Sequence, residues 1–527
     1  MKVLVADDIS ERAVQLLEAE RSWTVVNVPK VKAVVADEIR DADALIVRSA
    51  TPVTAELLER AGRLRVVGRA GVGVDNVDLN AATRRGIVVM NTPGGNATSV
   101  AEHALALLLA LARRIPQADR SLKEGKWEKK QFLGTELRSK TLGLVGLGHI
   151  GMEVARLAQA CQMDVLACDP YVPAMMAGQH NIRLAALEEL LPASDFISLH
   201  STLTPETQHL INARTLGLMK PGVRLVNCAR GELVDEAALL QALESGQVAG
   251  AALDVFETEP PREAAAQLAT HPNVIATPHI AGSTEEAQET IGIRIAEQVR
   301  DYLLDGVARN AVNMPSISPE EYKKLEPYLK LGEKLGAFLA QISPRPLEEV
   351  RISYDGGLAD LNTHLVRNAA LKGILNQILD EPANLVNSGG LAQARGIEVV
   401  ELTSARRAAF SNSLGIALRS GNQSASALGM VGLGNTLRIL GINDIDIEAP
   451  LRGTILYIRN QDVPGVIGRV GTVLGNGGIN IANFALGRNV ESHEAIGLVN
   501  VDSDVSAAAL DEIRGIPAVR AALLVEV

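Results

Sequence analysis

One short string constrains this 527-residue chain more than any other: LGLVGLGHIG, at residues 142–151. It places Gly146, Gly148 and Gly151 in a G-x-G-x-x-G pattern, with a strand pattern before them and a helical pattern after them. Glycines at these positions permit a tight turn, close approach of the backbone to a pyrophosphate, and close packing of helix on strand. The next strand pattern, VLACD, ends in Asp169, whose carboxylate suits a ribose 2′-hydroxyl and repels a 2′-phosphate. The string therefore predicts a doubly wound α/β unit that binds NAD rather than NADP.

Strand and helix patterns alternate on both sides of this string. The first 100 residues contain the strand-like strings VLVA, DALIVR, LRVVGRAG and GIVVMN, and after the glycines the rhythm restarts with VLACD, DFISLH, RLVNCA, GAALDVF and VIATPH. This alternation is typical of parallel sheets built from βαβ units. A helical pattern from Ser99 to Leu122 separates the two runs, and another beginning at Ser283 leads back toward the first. We expect the second sheet to be inserted into the first unit.

Composition excludes several classes of protein. Hydrophobic residues make up 47% of the chain, which argues against disorder, and the net charge of −11 with 3% aromatic residues argues against nucleic-acid binding. Cys161, Cys168 and Cys228 form no C-x-x-C pair, which argues against a structural zinc site and for a reducing compartment. The apolar stretch at 101–112 is far shorter than the roughly 20 residues that a membrane span needs. We expect a cytoplasmic enzyme that requires neither metal, membrane nor nucleic acid.

Three polar residues follow strand patterns in the second run: Arg230 in NCARGELVDE, Glu259 in DVFETEP, and His279 in TPHIAGST. Open α/β sheets bind ligands at the carboxyl ends of their strands. Oxidation of a 2-hydroxy acid needs a cationic fork for the carboxylate, a histidine that accepts the hydroxyl proton, and a carboxylate that fixes the tautomer of that histidine. Taken singly, the Arg and the Glu also fit surface ion pairs, and the His fits a structural role.

Five strings in order, GRAGVGVDNVD, LGLVGLGHIG, VNCARGELVDE, ALDVFETEPP and TPHIAGST, resemble the D-isomer-specific 2-hydroxyacid dehydrogenases. Over essentially all 527 residues the chain is similar to the long branch of that family, which acts on D-3-phosphoglycerate. The resemblance implies NAD as cofactor, and it implies oxidation of that substrate to 3-phosphohydroxypyruvate at the start of L-serine biosynthesis.

The resemblance also implies site residues. The catalytic set falls on Arg230, Glu259 and His279, and substrate contacts fall on Arg48, Ser49, Arg69 and Asn96. Cofactor contacts fall on a larger set: Val72, Gly146, Gly148, His149, Ile150, Gly151, Asp169, Ser201, Cys228, Ala229, Asp254 and the stretch from His279 to Gly282.

Two alternatives to this function stay open. The first is another D-2-hydroxyacid dehydrogenase, such as a hydroxypyruvate or glyoxylate reductase, with an unusual C-terminal half. The second is a catalytically silent sensor or corepressor on the same scaffold, against which the complete set of Arg230, Glu259 and His279 speaks.

Other candidate residues favour structural roles. We interpret Cys168 and Cys228 as packing residues, because hydride transfer needs no thiolate and small buried cysteines are common. His103 lies in the apolar helical string AEHALALLL and is interpreted as a core or interface residue. Arg406 and Arg407 form a local basic pair, which we interpret as solvated.

The string NQDVPGVIGRVGTVLGNGGINIANF, at 460–484, resembles the signature of ACT domains. In members that bind amino acids, the resemblance implies a ligand clasped between two domains by Asp462 and Asn480, and it implies L-serine as that ligand. Asn460 stands where relatives often carry His or Tyr. The alternative is an ACT unit that serves only self-association.

These observations predict an α/β chain of four units. A flavodoxin-like substrate domain (1–98 and 283–316) contains an inserted Rossmann-type NAD domain (99–282), and an α+β intervening domain (317–450) and a ferredoxin-like ACT domain (451–527) follow. The expected small-molecule partners are 3-phosphoglycerate and L-serine, and the expected assembly is a homotetramer.

Overall fold

The computed structural model describes residues 1–28, 32–404 and 412–527, so Arg406 and Arg407 lie outside the described residues. The first sheet is parallel, with strand order β2-β1-β3-β4-β5, which is the flavodoxin-like order. Its strands are β1 (Lys2–Val5), β2 (Thr24–Asn27), β3 (Ala44–Val47), β4 (Val66–Arg69) and β5 (Val88–Met90), and its helices are α1 (Glu11–Glu18), α2 (Lys32–Glu38), α3 (Ala55–Arg60) and α4 (Leu79–Arg84). Its central strands are almost wholly apolar because helices cover both faces of the sheet.

The second sheet has seven parallel strands in the order β12-β11-β10-β9-β6-β7-β8. Numbered from its own first strand, this is the Rossmann order with one strand added, as the glycine string predicted. Its strands are β6 (Thr141–Val145), β7 (Asp164–Cys168), β8 (Arg183–Leu184), β9 (Phe196–Leu199), β10 (Val223–Asn227), β11 (Val248–Leu253) and β12 (Val274–Ala276). Its helices are α5 (Ala97–Arg113), α6 (Ile115–Lys123), α7 (His149–Ala160), α8 (Ala174–Gln179), α9 (Leu187–Ala193), α10 (Ala213–Leu218), α11 (Glu236–Glu244) and α12 (Glu263–Thr270).

The single helix expected from Ser99 to Leu122 is two helices. Arg114 adopts a left-handed conformation with φ of 53° and separates α5 from α6. Pro116 at the start of α6 has no N–H to continue the helical hydrogen bonds. The carbonyl of Ala112 instead accepts a hydrogen bond from the backbone N–H of Thr135, at 2.8 Å.

Helix α13 (Glu285–Asp305) returns the chain to the first sheet, as the sequence predicted. Its buried Ile295 and Val299 lie against Gly68 of β4, where an added Cβ would come within 2.7 Å of Val299. Beyond the helix, the backbone N–H of Val312 donates to Val89 in β5. The second sheet is therefore inserted between β5 and α13.

A third, mixed sheet follows in the order β14-β13-β15-β16-β17-β18. Its strands are β13 (Glu349–Gly356), β14 (Glu398–Ser404), β15 (Asn412–Ser420), β16 (Gln423–Val431), β17 (Leu437–Ile442) and β18 (Ile445–Pro450). Its helices are α14 (Pro319–Ile342), α15 (Thr363–Leu375) and α16 (Ser388–Ala394). Helices α14 and α15 pack so closely that a Cβ on Gly373 would lie 1.9 Å from the carbonyl oxygen of Glu333.

The last unit is a four-stranded antiparallel sheet in the order β20-β21-β19-β22. It consists of β19 (Thr454–Gln461), α17 (Val466–Asn476), β20 (Ile481–Asn489), β21 (Glu494–Val501), α18 (Ala507–Arg514) and β22 (Val519–Glu526). The helices cover one face, and on the other Tyr457 meets Phe338 of α14 with ring centroids 6.4 Å apart. This is the ferredoxin-like order expected for the unit. No helix among the described residues is long and apolar enough to cross a membrane.

Candidate active site

The three glycines of the G-x-G-x-x-G string form a loop that tolerates no side chain at two positions. Gly146 has φ of 97°, and a Cβ there would lie 2.6 Å from the carbonyl oxygen of His200. A Cβ on Gly151 would lie 2.2 Å from the carbonyl oxygen of Gly146. Gly148 faces open space and precedes the first turn of α7. The loop is therefore tight within the protein and open toward a ligand.

The residues around this loop fit a dinucleotide. No side chain caps the N-terminus of α7, so the backbone N–H groups of His149 and Ile150 are available for a pyrophosphate. Asp169 directly follows β7, and its Oδ2 accepts the N–H of Leu147 at 2.8 Å. Its Oδ1 accepts the N–H of Tyr171 at 2.9 Å. The carboxylate is thus held beside the loop, where it would meet the ribose hydroxyls of NAD.

The other expected cofactor residues line the same edge of the second sheet. Six of them lie within three residues of the carboxyl ends of β6, β7, β9, β10, β11 and β12: Gly146, Asp169, Ser201, Cys228, Asp254 and His279. Ala229 adjoins Cys228, and Gly282 packs against Asn96, whose Nδ2 would lie 2.7 Å from an added Cβ. Val72 lies in the first unit, where its carbonyl accepts a hydrogen bond from Asn91 Nδ2 at 2.5 Å.

Replacing Gly151 with Ala is expected to weaken NADH binding by about 10- to 100-fold, because overpacking typically costs 1–3 kcal/mol. The added Cβ would push Gly146 out of the loop conformation. Fluorescence titration with NADH measures the effect. Gly217→Ala in α10 is the matched control, since nothing lies within 4 Å of its Cβ. Equal affinities for the two variants would contradict this role of the loop.

His279 and Glu259 form a hydrogen-bonded pair at this edge. His279 Nδ1 lies 2.9 Å from Glu259 Oε2 and 3.2 Å from Oε1, and about half of the imidazole side chain is exposed. Glu259 Oε1 also accepts the backbone N–H of Phe256 at 3.3 Å. Nε2, the second ring nitrogen of His279, makes no hydrogen bond within the described ranges. The pair therefore presents one ring nitrogen for proton transfer.

Arg230 reaches across the cleft from the second sheet to the first unit. Its Nη2 and Nε lie 3.0 and 3.2 Å from Asp75 Oδ2, and its Nη1 donates to the carbonyl of Ala229 at 2.7 Å. A Cβ on Gly73 would lie 2.0 Å from Nη2. One carboxylate oxygen of Asp75 thus occupies two nitrogens of the guanidinium. Sequence reasoning missed Asp75, although it lies within one of the quoted motifs.

Arg69 and Arg48 bring further positive charge to the cleft from β4 and the end of β3. Burial lowers the pKa of Arg69 to about 10, the nearby charges of Arg230 and Arg48 add to this effect, and Asp75 opposes it. A pKa of about 10 leaves Arg69 charged at neutral pH. Arg48 Nη1 donates to the carbonyl of Asp8 at 3.2 Å. Arg48, Arg69 and Arg230, each at the end of a different strand, thus place their positive charges in the same cleft.

Two further candidates border this region. Ser49 is exposed directly after Arg48. Asn96 precedes α5 and makes no capping hydrogen bond, and its buried Oδ1 has no partner within the described part of the chain. An incoming hydrogen-bond donor, such as a hydroxyl group, would satisfy that oxygen.

The two motif cysteines are poor nucleophiles. Burial raises the pKa of the Cys228 thiol strongly, and the charge of Asp254 adds to the effect. Burial also raises the pKa of Cys168, with Asp169 adding to it. Both thiols therefore stay protonated at neutral pH, in agreement with a packing role.

The two residues that are expected to bind L-serine lie far apart within one chain. Asp462 precedes α17 and pairs with Arg488, whose Nη2 lies 2.6 Å away, whereas Asn480 follows α17 and donates to Asp502 at 2.6 Å. The 11 residues of α17 separate them by about 16 Å at 1.5 Å per residue. Asn460 is buried. A ligand that touches both Asp462 and Asn480 needs one residue from each of two chains.

Comparisons with known proteins indicate the family of this chain. Residues 105–281 match the NAD binding domain of the D-isomer specific 2-hydroxyacid dehydrogenases, residues 324–443 match the D-3-phosphoglycerate dehydrogenase intervening domain, and residues 454–518 match the ACT domain. Among solved structures, D-lactate dehydrogenase from Aquifex aeolicus, complexed with NAD and lactic acid, is 32% identical with a TM-score of 0.52. The match covers 60% of this chain and 100% of that one.

Several curated relatives match over nearly their full length. The D-3-phosphoglycerate dehydrogenase of Synechocystis is 42% identical, covering 100% of this chain and 94% of the relative. That of Methanocaldococcus jannaschii is also 42% identical, covering 99% and 98%. With the NAD loop, the His–Glu pair and the arginine-lined cleft in place, the chain belongs to the D-3-phosphoglycerate dehydrogenase family of NAD-dependent oxidoreductases.

Proposed function

We propose that this chain oxidises D-3-phosphoglycerate to 3-phosphohydroxypyruvate with NAD, the first step of L-serine biosynthesis. The observation that carries the proposal is the His279–Glu259 pair, which shares a cleft with Arg230 and the arginines of the first unit. This cleft combines an acid–base group with enough cationic donors for both a carboxylate and a phosphate.

Each catalytic residue has one task in this proposal. Arg230 exchanges Asp75 for the substrate carboxylate, which the planar guanidinium holds through two hydrogen bonds. His279 accepts the C2 hydroxyl proton at Nε2, and Glu259 holds Nδ1–H and stabilises the resulting imidazolium. NAD, when bound, accepts the hydride from C2. Asp169 and the N–H groups of His149 and Ile150 orient it along the sheet edge.

Arg69 and Arg48 hold the substrate phosphate, with Ser49 and Asn96 bordering the site. Arg69 Nε is buried and has no hydrogen-bond partner among the residues described, so an anion would satisfy it. The protein carries a net charge of −11, but screening limits distant charges to a reach of about 8 Å at physiological salt. The local arginines therefore determine anion binding.

Replacing Arg69 with Ala is expected to raise KM for 3-phosphoglycerate by about 10- to 100-fold, because a hydrogen bond to a charged group contributes about 1.5–3 kcal/mol. NADH affinity should stay within about twofold, since Arg69 belongs to β4 of the first unit and not to the glycine loop. Steady-state kinetics and NADH titration measure the two effects. Equal weakening of substrate and NADH would contradict this assignment.

A substrate panel tests the function itself. NADH formation is followed with D-3-phosphoglycerate, D-glycerate and D-lactate, and in reverse with hydroxypyruvate and glyoxylate. We expect the phosphorylated acid to give the highest kcat/KM. Preference for an unphosphorylated acid would identify another D-2-hydroxyacid dehydrogenase, and absence of all activity would indicate a silent sensor.

Each unit of the chain has its own role in this proposal. Residues 1–98 and 283–316 bind substrate, residues 99–282 bind NAD, residues 317–450 serve regulation or assembly, and residues 451–527 form the ACT domain. We propose a homotetramer in the cytoplasm. The free cysteines among the described residues support the reducing compartment.

L-Serine binds between ACT domains of two chains, with Asp462 contacting its ammonium and Asn480 completing the clasp. Millimolar L-serine is expected to inhibit the initial rate, and Asp462→Ala is expected to raise the half-inhibitory concentration by about tenfold, the value of one charged hydrogen bond. The exposed Asp504→Ala in the same domain is the control. No inhibition of the unmodified protein would refute serine binding and leave assembly as the role of the domain.

A further inference from the structure

The loop that carries His279 is held in an unusual backbone conformation by Asp254. His279 has φ of 53°, in the left-handed region that a non-glycine residue rarely adopts. Its backbone N–H donates to the carbonyl of Asp254 at 2.8 Å. The next two N–H groups, of Ile280 and Ala281, donate to the Asp254 carboxylate at 2.9 Å each. Three consecutive backbone N–H groups thus donate to a single residue, Asp254.

The Asp254 carboxylate is in turn held by a chain of side chains that starts on another helix. The Thr277 hydroxyl lies 2.5 Å from Asp254 Oδ1, and His103 Nε2 of α5 lies 3.3 Å from that hydroxyl and 3.6 Å from the same carboxylate oxygen. Asp254 is fully buried, and about a fifth of the His103 side chain is exposed. Because the Thr277 proton goes to the carboxylate, its oxygen can only accept from His103. His103 Nε2 therefore carries the hydrogen.

The ionisation state of Asp254 agrees with this direction. Burial would raise the pKa of Asp254, but the hydrogen bonds from His103, Thr277 and the loop outweigh burial and lower it. The carboxylate is therefore ionised and acts only as an acceptor. A second link joins the same helix to the end of the same loop, since Ser99 Oγ lies 2.7 Å from Thr284 Oγ1.

We propose that His103 is a positioning residue for the proton transfer to His279: its Nε2–H, through the Thr277 hydroxyl, holds Asp254 and thereby fixes the loop that aims His279. The proposal rests on the proposed function, because it gives His279 the acid–base role. It replaces the interpretation of His103 as a core or interface residue. It also gives α5, which starts at the cleft residue Asn96, a direct connection to the catalytic loop.

Matched variants test the chain of hydrogen bonds. His103→Leu and Thr277→Val remove the polar groups with little change in volume, whereas His103→Gln and Thr277→Ser keep a donor or a hydroxyl. We expect each of the first two to lower kcat by about 10- to 100-fold, since misplacement of a reacting group by about 1 Å costs up to 10²-fold. KM for substrate should change less than threefold, and the Gln and Ser variants should recover most of the rate.

The double variant provides the decisive measurement. Residues that act in series are not additive, so His103→Leu with Thr277→Val should be no slower than Thr277→Val alone within about threefold. Multiplication of the two effects, or a His103→Leu rate within twofold of the unmodified enzyme, would overturn the proposal. Melting temperatures establish that each variant is folded, and NADH affinity by fluorescence is measured independently of turnover.

The substrate panel distinguishes failure of the His103 proposal from failure of the proposed function. If the unmodified chain prefers another 2-hydroxy acid, the same cycle is run with that acid. Failure of the cycle then counts against His103 and not against the reaction.

Discussion

Replacing His279 with Gln is expected to lower kcat for oxidation by about 10²- to 10⁴-fold, the usual contribution of a positioned general base. Glutamine can still hydrogen-bond Glu259, but it cannot accept the C2 hydroxyl proton. NADH affinity and KM for 3-phosphoglycerate should change by less than about threefold, because Arg230 and the glycine loop are untouched. Steady-state kinetics and NADH titration separate these quantities.

His180→Gln is the matched control for this variant. His180 is exposed at the end of α8, and its side chain has no role in the proposed site. The control should retain full activity. A His279→Gln variant with more than a tenth of the normal kcat would mean that another group, or water, accepts the proton.

Replacing Arg230 with Gln is expected to lower kcat/KM for 3-phosphoglycerate by about 10²- to 10³-fold, because loss of one partner from a charged, hydrogen-bonded pair costs 2–5 kcal/mol. Arg230→Lys should rescue little, since a single ammonium cannot form the planar two-bond contact. The released Asp75 would also face the incoming carboxylate and repel it. Arg214→Gln, exposed on α10, is the control.

The substrate panel distinguishes Arg230 from Arg69. Arg230→Gln should weaken D-glycerate and D-3-phosphoglycerate equally, because both carry the carboxylate that it holds. Arg69→Ala should weaken only the phosphorylated acid. If Arg230→Gln instead removed the preference for phosphate and spared D-glycerate, the assignments of the two arginines would have to be exchanged.

Local sequence patterns were sufficient to predict the two parallel sheets and their arrangement along the chain. The alternation of strands and helices predicted both parallel sheets and the insertion of one into the other, because helix and strand periods follow from which faces are buried. The pattern missed the break at Arg114, although Pro116 in the sequence indicated it. The hydrophobic periodicity continues past Pro116, and proline is common in the first turn of a helix. The periodicity alone therefore did not distinguish one continuous helix from two helices.

Glycine spacing shows how context changes the role of a motif. Gly71-x-Gly73 lacks the third glycine of a dinucleotide motif, and the structure gives it a different task. A Cβ on Gly71 would lie 1.5 Å from Arg69 Nη1, and one on Gly73 would lie 2.0 Å from Arg230 Nη2. These two glycines make room for the guanidinium groups of the cleft. For Gly73 that role depends on a side chain more than 150 residues away, which no local pattern contains.

By itself the sequence determined the order of the units and the glycine loop, and its resemblance to a family predicted the acid–base pair, because these depend on residue types at short spacings and at strand ends. Only the tertiary structure decided which groups meet across distance. It paired Arg230 with Asp75, connected His103 through Thr277 to Asp254, and separated Asp462 from Asn480. The physical reason is that hydrogen bonds and charges act over a few ångströms in space, whereas their partners here are separated by tens to hundreds of residues along the chain.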